Sequence, residues 1–231
     1  MRDSYQLGLE GILRELVEMA DLVSESVRRS TAALLDADLG TAEQVIGRSP
    51  TAGAIKISIE NRVFSVLALQ TPVAGDLRSA VATLRTVSDL DRMAALAGHI
   101  AKVARMRYPS AAVPESLRPN FAHIDLIIER MLTTVNFALK DRNVDALQNL
   151  FDWDDEVDDL RQSQFRILLS GTWNCGIEPA VDVALLGRYY ERIADHTASM
   201  GRHLIYAMTG DIPKAGPSLQ QLERSHVPLP K

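Results

Sequence analysis

Apolar residues recur at steps of three and four along most of the chain, a spacing that predicts helices and not strands. From Tyr5 to Leu35 the series Leu9, Ile12, Leu13, Leu16, Met19, Ala20, Val23 and Val27 marks one long amphipathic helix. A break at Asp36 to Gly40 ends it, and Thr41 is suited to cap a second helix through Ile55, Ile59, Val63, Val66 and Leu67. Pro50 falls inside that second helix, where it is tolerable only as a kink or a restart. Thr71-Pro72 closes the helix, and Pro72 suits the first turn of a third, which runs to about Met106. The segment Tyr108 to Pro119 holds three prolines and reads as a linker. Beyond it the plan repeats: a helix through Ile124, Ile127, Ile128, Met131, Val135 and Leu139, another over about Val144 to Leu169, a turn at Gly171 to Gly176, and a last helix from Glu178-Pro179 to Gly210.

The repetition extends to residue type. Arg188 to Gly210 has a weaker echo at Asp89 to Met106, with Glu191-Arg192-Ile193-Ala194-Asp195 falling on Asp91-Arg92-Met93-Ala94-Ala95. A duplicated helical unit follows. The expected fold is all-α, two tandem antiparallel three-helix bundles with six long helices in all: residues 1–108, a Pro-rich linker over 109–119, and residues 120–213. Residues 214–231 carry further prolines and no apolar period, and are expected to be a disordered tail.

Composition narrows the function. Hydrophobic residues make up 46% of the chain but aromatics only 5%, which suits closely packed helices better than sheet sandwiches. A net charge of −5 argues against a nucleic-acid partner, because phosphate-backbone binding needs a basic face. The single Cys175 excludes an intrachain disulfide and points to a reducing compartment. No run of apolar residues is long enough to span a bilayer, and the first residues lack a secretory pattern; a cytoplasmic protein without direct membrane insertion is expected.

The candidate chemistry lies in carboxylates. Glu191 and Asp195 stand four apart, one helical turn along a common face. A projection of the last helix sets Leu186, Tyr189, Ile193, His196, Met200 and His203 on the core stripe and places the two acids opposite, facing outward. In the fifth helix Asp154, Asp155, Glu156, Asp158 and Asp159 pack five acids into six positions, with Asp154 and Asp158 again four apart. Antiparallel neighbours would bring Asp154, Asp158, Glu191 and Asp195 together, four oxygen donors suited to a hard divalent or ferric cation such as Mg, Mn or Fe. The plainer reading is a solvated face with Arg188–Glu191 and Asp195–Arg202 ion pairs. His196 reads as a semi-buried core residue, and Glu-x-x-His occurs only at Glu223 to His226, against a di-iron bundle. No nucleophile motif or metal-protease motif is present, so no catalytic residue and no enzyme activity are expected.

Leu67-Ala68-Leu69-Gln70, the run Thr71-Pro72-Val73-Ala74-Gly75-Asp76-Leu77-Arg78 and the later Glu191-Arg192-Ile193-Ala194-Asp195-His196 together resemble the PhoU family, from about Tyr5 to Gly210. That resemblance implies a regulator of phosphate uptake and of the phosphate-starvation response. It also implies two partners, the ATP-binding subunit of a phosphate ABC transporter and a sensor histidine kinase, and a homodimer. Metal ions, Zn among the candidates, would be held by repeated acid-x-x-x-Asp motifs. Both motifs survive in the second copy, at Asp154/Asp158 and Glu191/Asp195. In the first, Ser49, Gly53 and Ala95 replace acids and only Asp91 remains, so metal is expected on the second bundle alone. Gln70, Asp76 and Arg78 are the candidate partner-facing residues. The competing expectation is a metal-binding helical bundle for storage or sensing.

Overall fold

The computed structural model describes residues 2–70 and 74–211, with the backbone alone at positions 2–7, 9 and 70. Six helices follow in order: α1 (Arg2–Asp36), α2 (Leu39–Gln70), α3 (Ala74–Arg107), α4 (Arg118–Asp141), α5 (Leu150–Leu168) and α6 (Ile177–Thr209). Short 3₁₀ turns at Glu115–Leu117 and Asp145–Leu147 precede α4 and α5, and there is no strand among the described residues. Residues 214–231, expected to form the C-terminal tail, and Thr71 to Val73 lie outside the described residues.

Local chemistry sets the helix ends. Asp38, not Thr41, caps α2: its Oδ1 accepts the Thr41 backbone N–H at 3.0 Å and its Oδ2 accepts the Thr41 hydroxyl at 2.6 Å. Thr41 is thus the third residue of the helix, and serves the cap as a donor. α2 runs through Pro50 without a restart, leaving the Ile46 carbonyl without its helical donor. α5 begins at Leu150, later than its apolar period suggests, because Asn143 Oδ1 accepts the Asp145 N–H at 3.0 Å and holds the preceding residues in a turn.

α1, α2 and α3 pack on one another, as do α4, α5 and α6, and α3 on α6 and α1 on α4 join the two sets into one continuous core. The Pro-rich segment is no loose tether. Ala112, Val113 and Leu117 are buried in that core, Arg118 donates to the Leu35 carbonyl, and Pro119 already lies in the first turn of α4.

The two copies bury equivalent positions in register. An offset of 105 residues carries Leu16, Met19, Val23 and Val27 of α1 onto Phe121, Ile124, Ile128 and Leu132 of α4, and Val45, Ala52 and Ile59 of α2 onto Leu150, Val157 and Gln164 of α5. An offset of 100 carries Leu90, Met93 and Ile100 of α3 onto Tyr190, Ile193 and Met200 of α6. All of these are buried.

α3 and α6 lie antiparallel across the junction. Arg107 at the end of α3 is ion-paired to Glu178 and Asp182 at the start of α6, and Arg78 near the start of α3 packs beside Gly210 at the end of α6. Midway, Asp89 Oδ1 lies 2.9 Å from His196 Nδ1, and the Tyr189 and His99 rings stack with centroids 5.5 Å apart. Tyr190 OH donates to Thr31 Oγ1 at 2.9 Å and its ring meets Phe121 at 5.7 Å, so α1, α4 and α6 close on one buried side chain.

Candidate metal centre and its surroundings

The face shared by α5 and α6 carries the four acids. Val157 turns inward and Trp153 and Leu160 are partly buried against the core, which leaves Asp154 and Asp158, one turn apart, toward α6. The charges of Asp195 and Asp158 act on Asp154, and those of Glu191 and Asp195 act on Asp158. The fold therefore brings the four residues close enough for their charges to act on one another.

Their environments differ. Glu191 is not outward-facing: its side chain is only 12% exposed, because it lies on the side of α6 that meets α5, where Arg161 covers it. Arg161 holds it through Nε at 3.1 Å and Nη1 at 3.2 Å, and Arg188 holds it from one turn back on α6. Asp195 is exposed. Arg202 does not pair with it and lies over the Phe151 ring at 5.5 Å. The projected core stripe also shifts: Tyr190, Thr197 and Leu204 are buried, while Tyr189, His196 and His203 flank the core toward α3.

Burial first, then the charges of Asp195 and Asp158, push the Asp154 carboxyl up to about 7. Loss of hydration beside Glu191 and Asp195 pushes Asp158 up to about 6. In chemistry this donor set fits a hard cation, which would replace the protons that relieve the crowding. In convergence it does not, as the side chains stand: among the described residues no three His, Cys, Asp or Glu side chains form one ligand group.

The raised carboxyls have a consequence for stability. Between the ordinary carboxylate range and about pH 7 the folded chain binds more protons than the unfolded chain. Stability therefore falls as pH rises through that window. With chelator present, Asp154→Asn should be more stable than the parent at pH 8 and equal to it near pH 3, read from urea midpoints. A parent that gains stability from pH 4 to 7 through this site, or a variant less stable at pH 8, would contradict the assignment.

In the first copy the same face is charge-balanced. Gly53 occupies the place of Asp158 and faces Asp91, and Lys56, one turn on, pairs with Asp91 at 3.2 Å as Arg161 pairs with Glu191. Ser49, in the place of Asp154, sits against Gly98. Of the candidate partner-facing residues, Asp76 is exposed in the first turn of α3 and Gln70 ends α2. Arg78 is engaged internally beside Gly210, its Nε buried without a hydrogen-bond partner.

Sequence reasoning missed the Asp89 contacts with His196 and His203, and the Arg107–Asp182 pair. Both cross from one copy to the other, and no periodicity within a copy signals them. The Arg161 contact did leave a trace, a basic residue three positions after both Gly53 and Asp158.

A family model described as PhoU domain matches residues 16–104 and again 122–204, one match per copy. Two curated relatives from Mycobacterium tuberculosis are 38% identical over 213 residues, or 92% of this chain. They are named phosphate-specific transport system accessory protein PhoU homolog 1, of which 96% is covered, and homolog 2, covered in full. The crystal structure of PhoU from Pseudomonas aeruginosa superposes with a TM-score of 0.84 at 25% identity, covering 90% of this chain and all of that one.

Proposed function

Because the chain belongs to the PhoU family, we propose that it is a non-enzymatic accessory protein of a phosphate-specific transport system and a negative regulator of the phosphate-starvation response. The observation that carries the reading is the match of both copies, together with 38% identity to accessory proteins over almost their whole length. In this reading the chain relays the transporter's state from its ATP-binding subunit to a sensor histidine kinase, by stoichiometric contact, as a cytoplasmic homodimer. No described helix is long and apolar enough to cross a membrane. Exposed apolar side chains at the α2–α3 and α5–α6 hairpins, Phe64, Leu69 and Leu77 at one and Leu169, Ile177 and Val181 at the other, suit protein contacts.

A strain lacking the chain should express phosphate-starvation genes in phosphate-rich medium and recover repression when the chain is restored. Normal repression without it, in a strain with no second member of the family, would end the regulatory reading.

The cation belongs to the same proposal as an accessory feature of the second copy. Asp154, Asp158 and Asp195 would supply its donors only after their side chains converge on it, and Glu191 stays with its two arginines. The pH titration of stability, repeated with Mg²⁺ or Mn²⁺ in place of chelator, should show the parent stabilised at pH 8 and an Asp154→Asn/Asp195→Asn variant unmoved. Equal responses would make the acids a solvated face.

A further inference from the structure

A groove of about 340 Å³ lies between α1 and α2, floored by Leu22 and Val45 and rimmed by Arg29, Arg48 and Thr51. Neither arginine on its rim is ion-paired among the described residues. Glu25 also lines it, but both Glu25 oxygens are taken by Arg28 at 2.7–3.0 Å. Arg29 reaches the neutral Gln44 amide oxygen, and among the described residues neither Arg29 nor Arg48 has a carboxylate within ion-pairing distance. Asp38, which feels Arg29, is bound by Thr41.

Packing does not demand these arginines. Arg29, Arg48 and Thr51 correspond to Thr134, Trp153 and Glu156 in the second copy, where α4 and α5 form the same helix pair. There Glu156 faces His123 at 3.3 Å. The basic groove is thus peculiar to the first copy, the one whose α2 carries Pro50 within it and whose own acids have become Ser49, Gly53 and Ala95.

Two guanidinium groups without acid partners, a hydroxyl on the rim and an apolar floor in a cleft of small-molecule size match one chemistry. We propose that the groove between α1 and α2 binds a phosphate-type dianion, held by Arg29 and Arg48 with Thr51 on the rim, either free or as a monoester on a small organic group. Ser26 spends its hydroxyl proton on the Leu22 carbonyl at 2.8 Å and contributes no donor. The inference does not rest on the regulatory reading, and it is read on purified protein, so either can fail alone.

Calorimetric titration of the full chain at low ionic strength, with orthophosphate and with phenyl phosphate, tests it. One saturable site per chain is expected, weakened at least tenfold by Arg29→Gln and by Arg48→Gln and unchanged by Arg166→Gln on the exposed face of α5. Thr51→Glu gives a second handle, since the second copy tolerates glutamate at that position and an acid on the rim should repel the ligand. Equal affinity for both probes assigns the free ion, and binding of phenyl phosphate alone assigns an ester. Absence of saturable binding, binding that survives both arginine substitutions and Thr51→Glu, or equal loss in Arg166→Gln would overturn the proposal.

Discussion

Replacing Tyr190 with alanine is expected to cost about 3–5 kcal/mol of unfolding free energy, the range for deleting a large buried aromatic. The side chain is fully buried, and it is the contact where α1, α4 and α6 meet. Its removal opens a cavity at the seam between the copies, where backbone from both would have to move to refill it. Tyr190→Phe isolates the hydroxyl. That variant should lose about 0.5–1.5 kcal/mol, the net worth of one hydrogen bond, because Thr31 keeps its own bond to the Val27 carbonyl at 3.2 Å. Urea unfolding of both variants measures the difference. A loss below about 1 kcal/mol in Tyr190→Ala, far under the cavity range, would mean that the seam is looser than its burial implies.

The second large effect comes from a glycine. A Cβ on Gly201 would lie 2.3 Å from Leu150 Cδ2, inside the core between α5 and α6. Overpacking of this kind costs about 1–3 kcal/mol, against about 1 kcal/mol of helix propensity gained by replacing glycine. Gly201→Ala should therefore be net destabilising. The first copy has Ala101 and Val45 at the equivalent positions, so a methyl group on α6 has been exchanged for a longer side chain on α5. Adding Leu150→Val should recover most of the loss, with a favourable coupling of about 1 kcal/mol or more in a double-mutant cycle. Additive behaviour would show that the two sites accommodate independently.

The helices were legible because each buries a stripe whose period survives in the sequence, and the duplication was legible because the α3 and α6 stripes carry the same residue types. The ends were less so. Thr41 looked like a cap because its hydroxyl suits one, yet Asp38 lies three residues earlier and accepts two bonds from it. The Pro-rich segment looked like a tether because proline punctuates loops, but Ala112, Val113 and Leu117 place it in the core. At the candidate metal centre the spacing put Asp154 and Asp158 beside the buried Val157, where the charges of the α6 acids reach them. It misjudged Glu191, whose exposure depends on which side of α6 the neighbouring α5 and its Arg161 cover, and a projection of one helix carries no information about that.

The antiparallel crossing of α3 on α6 fixes where the two hairpins can act. Each helix is 33 or 34 residues long, so the start of α3 and the start of α6 stand about 50 Å apart at opposite ends of the antiparallel pair. Exposed apolar side chains therefore stand at both ends of one rigid length of helix. A flat body seated on Leu69 and Leu77 leaves Leu169 and Ile177 free for a second body, and a single chain is long enough to keep two such bodies at a set separation while touching both.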